Sequence, residues 1–212
     1  SSIEEHVNEQ GVVWISGVIR IGDEIVGYAN RRKSLQQQLA HGFVRWNPTK
    51  KLFSDFQTLP ETSWKHLDGH PILYQYEGVA YVMFGHAIPN FRVKADVRAI
   101  RSGLTFETYS CLLPNGDVDY DEKRAPIWRW RSDGTPIDSE REASLIKRGT
   151  LAREQCKCLL TEHATKRMVI PHRGSVRWNA FIQRWVLVFT AINEPDSMLG
   201  ELYIAAATTP TG

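Results

Sequence analysis

The chain has 212 residues, 42% hydrophobic and 24% charged, with a formal net charge of +2. That length buries a sizeable core in one domain or one and a half, and the near balance of charge excludes the basic stripe that nucleic acid or an anionic membrane surface requires. No apolar run approaches the roughly 20 residues of a membrane span, so a soluble globular protein is expected, with neither nucleic acid nor membrane as partner. Three cysteines, Cys111, Cys156 and Cys158, are too few for a disulfide framework. Cys-Lys-Cys also falls short of the four ligands of a structural zinc site, so no metal and no other cofactor is predicted.

The first residues, Ser-Ser-Ile-Glu-Glu, include no initiator Met and no charged-then-apolar leader, which reads as a processed or trimmed start. Residues 1–10 read as a polar arm. From Val12 the pattern turns to strands: VVWISGVIRI, the Gly22-Asp23 turn, then EIVGYANRR. Alternation about Val18-Ile19-Arg20-Ile21 and the Gly-Asp turn mark a hairpin. Residues 34–39 are a short polar connection. A third strand, GFVRW, follows His41, and Asn47-Pro48-Thr49 turns it into a fourth, KLFSDFQTL.

The same series restarts at Asp68. GHPILYQYEG is a strand with its turn, VAYVMFGH a second, ADVRAIR a third, and LTFETYSCL a fourth after Ser102-Gly103. A third unit runs HRGSVRWNAF, QRWVLVFTAI and GELYIAAATTPTG. Its expected strands are Ser175 to Asn179, Trp185 to Phe189, and one from Glu201 that ends in a Thr-Pro-Thr-Gly turn. Third strands align at His41, Asp96 and Glu201. Self-similarity at about 40–50 residues is the signature of propeller blades, each an antiparallel meander. The expected fold is therefore all-β, a β-propeller with blades at residues 11–59, 68–113 and 171–212, the last incomplete at its C-terminal end. Three blades leave open edges. Further blades of the same chain, or self-association, are expected to cover them.

Residues 114–170 interrupt the repeat as an insertion. Trp128-Arg129-Trp130-Arg131 alternates with period two. Ser139 and Glu142 form an S-x-x-E capping signature for a helix running to about Arg148, and Gly149 suits its stop. LAREQCKCL reads as a second helical stretch. So long an insertion is expected to act as a lid or as a packing arm.

The residues Ser175-Val176-Arg177-Trp178-Asn179, Arg184-Trp185-Val186, Gly200-Glu201-Leu202-Tyr203-Ile204-Ala205 and Thr209-Pro210-Thr211-Gly212 carry a resemblance. With GHPILYQYEGVAYVMFG, they resemble the five-bladed propellers of the furanosidase-type glycoside hydrolase superfamily, most closely a bacterial group within it. The resemblance covers the three units and not the insertion. It implies catalytic carboxylates at the axial ends of innermost strands, one protonating the leaving oxygen and the other attacking or activating water. At the positions matching the family's strand-start Asp stand His70, Arg173 and Ile15, none of them acidic.

The residues expected to carry function follow from these placements. His70 and His172 are acid–base candidates near neutrality, and Arg173 is a clamp for a carboxylate or sulfate on a sugar. Glu201 is the best-placed acid for catalysis. Asp68, two residues before His70, is an orienting or turn residue, and Asp96 a substrate-binding acid at a strand start. Trp128 and Trp130 offer a stacking face to a saccharide, or pack the insertion against the blades; Trp178 and Trp185 are expected in the core. Two readings of function remain open. One is a glycosidase-like propeller acting on a saccharide or polysaccharide, the other a non-catalytic sugar-binding or protein-interaction propeller.

Overall fold

The computed structural model describes residues 11–192 and 199–212; the expected polar arm lies outside the described residues. Strands dominate, and the strand pairs whose register is described are antiparallel. The chain divides into two compact units. One takes the described residues up to Phe84 together with Val93–Phe106; the other takes Gly85–Arg92 and Glu107–Gly212.

In the first unit, β1 (Val12–Ile21), β2 (Glu24–Arg32), β3 (Gln38–Asn47) and β4 (Leu52–Thr58) form one sheet in chain order. The Gly22-Asp23 turn joins β1 to β2 as the alternation predicts. β3 starts at Gln38, earlier than the sequence suggests, so His41 lies inside a strand and not at its start. Gly42 permits a close crossing there: a Cβ would sit 2.0 Å from the Gln57 carbonyl oxygen on β4. β5 (Ile72–Tyr76) and β6 (Val79–Phe84) form a hairpin through Glu77 and Gly78, both at positive φ (49° and 78°). A two-residue turn of that hand matches the twist of its strands. Phe106 is fully buried and meets the rings of Phe43, Trp64 and Phe84, so large aromatics supply much of this unit's burial.

One expected strand is a helix. ADVRAIR forms α1 (Val97–Ser102), capped by the Asp96 carboxylate, which accepts the N–H groups of Arg98 and Ala99 at 2.7 and 3.1 Å. Gly103 ends it in the left-handed region at φ 67°. Val97 and Ile100 are three apart, which suits a helix face as well as a strand, and the cap and the glycine decide. Arg101 near its end reaches the Asp55 carboxylate at 2.6 Å and the Gln57 side chain at 2.9 Å, tying α1 to β4.

In the second unit β8 (Glu107–Ser110) pairs with residues of β7 (Phe91–Lys94) on one side and with β9 (Arg129–Arg131) on the other. The insertion is ordered around a core that includes Cys111, Leu112, Ile137, Leu145, Leu151 and Cys158. Helix α2 (Ser139–Lys147) stands where the capping signature predicts, but its N-cap is Asp138, whose carboxylate takes the Arg141 N–H at 2.7 Å. LAREQCKCL contributes only one 3₁₀ turn, Arg153–Gln155. A short hairpin, β10 (Leu160–Thr161) with β11 (Met168–Val169), leads to a sheet of β12 (Pro171–Asn179), β13 (Arg184–Ile192) and β14 (Leu199–Ala207), in that order. These strands are longer than the sequence pattern suggests. The Thr-Pro-Thr-Gly turn follows β14.

Candidate functional site

The register of β12 creates the most concentrated positive charge among the predicted site residues. Pro171 pairs with Ala191 and Arg173 with Thr190, so His172 is the extra residue of a β-bulge. Bulges re-aim side chains and recur beside functional sites. The Arg173 guanidinium donates to Nδ1 of His86, and the His86 carbonyl accepts the Gly174 N–H at 3.0 Å, so one loop residue is held twice by β12. A donor on Nδ1 requires that nitrogen to be an acceptor, so His86 is neutral in this contact, with its proton on Nε2. His86 and Arg173 are exposed and His172 is half-buried. Partial burial, then the Arg173 charge, hold the His172 imidazole below its ordinary range, and a proton on His86 adds to that effect.

Glu201 lies on β14 beside Leu202, which pairs with Thr190, the partner of Arg173. Strand alternation puts Glu201 on the opposite sheet face from the Arg173 row. Its Oε2 is buried and has no hydrogen-bond partner among the described residues. His70 belongs to the other unit and is exposed before β5; the imidazole that meets Arg173 is His86. Asp68 accepts the Gly69 N–H at 2.7 Å, as a turn residue does. The Asp96 carboxylate is engaged in capping α1 and begins no strand.

Trp128 and Trp130 enclose Tyr109, with ring centroids 5.7 and 5.3 Å away. Arg92 covers Trp130 at 4.5 Å and pairs with Glu107 at 2.7 Å, while the Trp128 indole N–H donates to the Gln155 carbonyl at 3.1 Å. Trp130 thus meets a cation and a second ring, the arrangement of a packed ladder. Arg129 and Arg131 both turn to the Asp119 carboxylate. Trp178 meets Trp185 edge-on at 5.7 Å, but Trp178 is half exposed and not the core residue the pattern suggests.

Two polar clusters escape sequence reading. In the first unit His41 is buried; its Nε2 lies 2.6 Å from the Pro60 carbonyl and its Nδ1 2.9 Å from the Tyr28 hydroxyl. A carbonyl only accepts, so Nε2 carries the proton and Tyr28 donates to Nδ1. His66 stacks on Tyr28 at 4.2 Å. Burial, helped by the Asp68 charge, pushes the Tyr28 hydroxyl up to about 12. In the second unit Glu142 is fully buried, and its carboxylate accepts the N–H groups of Lys157, Cys158 and Leu159 at 2.6, 2.9 and 2.6 Å. Burial pushes that carboxyl above the usual range, and the three donors oppose the shift. Burial, with the Glu142 charge adding to it, also pushes Cys111 up to about 11 and Cys156 to about 12, and Cys158 well above its ordinary value. The thiols therefore stay protonated and poorly nucleophilic. No three His, Cys, Asp or Glu side chains are grouped to hold a metal ion among the described residues, and no described helix is long and apolar enough to cross a membrane.

Sequence reading missed His86 because its link to Arg173 joins residues far apart in the chain. It missed Glu142 because the capping signature supplied a competing role; Asp138, one position earlier, was the available clue. No family model, curated protein or solved structure matches this chain.

Proposed function

We propose that the antiparallel sheets are blades of a β-propeller of the five-bladed furanosidase type, and that this carbohydrate-active domain binds an anionic saccharide through His86, His172 and Arg173. The contact of Arg173 with His86 at the β12 bulge carries the reading. It gathers one permanent cation and two titratable imidazoles at an exposed point, and a uronate or sulfate ester presents the planar or tripodal oxygens that a guanidinium recognises. Binding without hydrolysis is favoured because Asp96, Asp119 and Glu142 are engaged in capping, ion pairing and backbone bonds.

Titration calorimetry with a short uronic-acid oligosaccharide and a neutral oligosaccharide of equal length tests this. Arg173→Ala should weaken uronate binding by about 2 kcal/mol, roughly 30-fold, and leave the neutral sugar unchanged. Uronate affinity should rise as pH falls through the lowered range of His172 and the imidazole gains its proton. Equal loss for both sugars overturns the assignment. A glycosidase reading is favoured by one observation, the buried Oε2 of Glu201, which has no hydrogen-bond partner among the described residues. It requires reducing-end release that Glu201→Gln abolishes.

A further inference from the structure

A cavity of about 260 Å³ lies on the face of the β12–β14 sheet opposite Arg173. Its origin is a size mismatch within cross-strand rows. Val176 and Leu187 align with Ala205, and Trp178 and Trp185 with Ala207, so two methyl groups stand where larger side chains would fill the layer. Leu160 of the β10 hairpin lines the same space. Apolar walls favour an apolar occupant, as a dry cavity of about 150 Å³ in another protein already takes up benzene. Polar character comes from Thr209 and Thr211, whose hydroxyls are 3.2 Å apart, and from Lys157, the one residue with an ionisable side chain that lines it among the described residues. Lys157 is anchored through its backbone, because its N–H is held by the buried Glu142 at 2.6 Å. A few fixed polar groups in an apolar pocket are the usual composition of a small-molecule site.

We propose that this cavity binds a small aromatic monocarboxylate, its ring against Ala205 and Ala207 and its carboxylate paired with Lys157. The volume accommodates one ring with a short acid chain and excludes a saccharide unit bearing hydroxyls on every side, which apolar walls would leave unpartnered. The site is independent of the saccharide reading.

The probes are 3-phenylpropanoate and its neutral amide, titrated into the full chain by nuclear magnetic resonance. The carboxylate should bind saturably, with contacts to the Ala205, Ala207 and Val176 methyl groups. Lys157→Met should weaken the carboxylate at least tenfold and change the amide less than twofold. Ala205→Leu should abolish both while the amide spectrum of the chain stays as dispersed as in the parent. Binding with no contacts to those methyl groups, equal weakening of both probes by Lys157→Met, or no saturable binding overturns the proposal. Should Ala205→Leu fail to fold, the methyl contacts in the unaltered chain decide it alone.

Discussion

The two histidine clusters are built from similar parts and reach opposite ends. His41 in the first unit has both ring nitrogens satisfied, one by a carbonyl and one by a tyrosine hydroxyl, and is 2% exposed. His86 in the second unit has Arg173 as a partner and is exposed. A buried imidazole with every polar atom matched is a cross-link, and its cost falls due only when it is cut. An exposed imidazole beside a guanidinium adds little to stability, since solvent screens the charges. What it offers is a local positive potential, useful to an incoming anion. Glu142 stands with His41: a buried carboxyl surrounded by backbone donors is a plug for a loop.

Stability measurements sharpen that contrast, beginning with the largest effect. Glu142→Ala should cost about 4 kcal/mol in urea unfolding, because three N–H groups, those of Cys158 and Leu159 buried, lose their acceptor and a void opens. A loss under 1 kcal/mol would put Glu142 among the dispensable surface acids. His41→Ala should cost about 3 kcal/mol by opening a void and removing the acceptor of the Tyr28 hydroxyl and the donor to the Pro60 carbonyl; Tyr28→Phe, which keeps the ring, should cost about 1 kcal/mol. Arg173→Ala and His86→Ala should each stay within about 0.5 kcal/mol of the parent, and a larger loss would make their contact a cross-link like that of His41.

The smallest effect concerns pH. His172 is held below its ordinary range in the folded protein, so between its folded value and about 6.5 the unfolded chain carries more protons. Stability therefore falls as pH drops from about 6.5 and levels off below the folded value. His172→Gln should flatten that part of a melting-temperature profile. Arg173→Gln should raise the His172 midpoint followed by nuclear magnetic resonance, because it removes a neighbouring cation; an unchanged midpoint would separate the two side chains.

The strands were legible because their signals are local: the Gly22-Asp23 turn and the alternation around Ile19 need no partner to be read. The helix at Asp96 was legible in principle, since Asp96 and Gly103 bracket Val97 to Ser102, but a strand-like run of Val, Ala and Ile masked the caps. The functional corner was half legible. His172 and Arg173 stand out at the start of an apolar strand, whereas His86 joins them only through tertiary structure. Trp128 and Trp130 show the converse: their alternation is real, but pattern alone could not reveal that Arg92 covers one and that the Gln155 carbonyl takes the indole N–H of the other.

Phe106 sets the order in which the first unit can be completed during synthesis. Its ring is the meeting point of Phe43, Trp64 and Phe84, yet it leaves the ribosome after all of them. A nascent chain that has released only β1 to β6 holds local hairpins without the side chain that closes their centre, and such non-local contacts form late. Protease resistance of ribosome-bound chains should therefore appear only once Phe106 has cleared the exit tunnel.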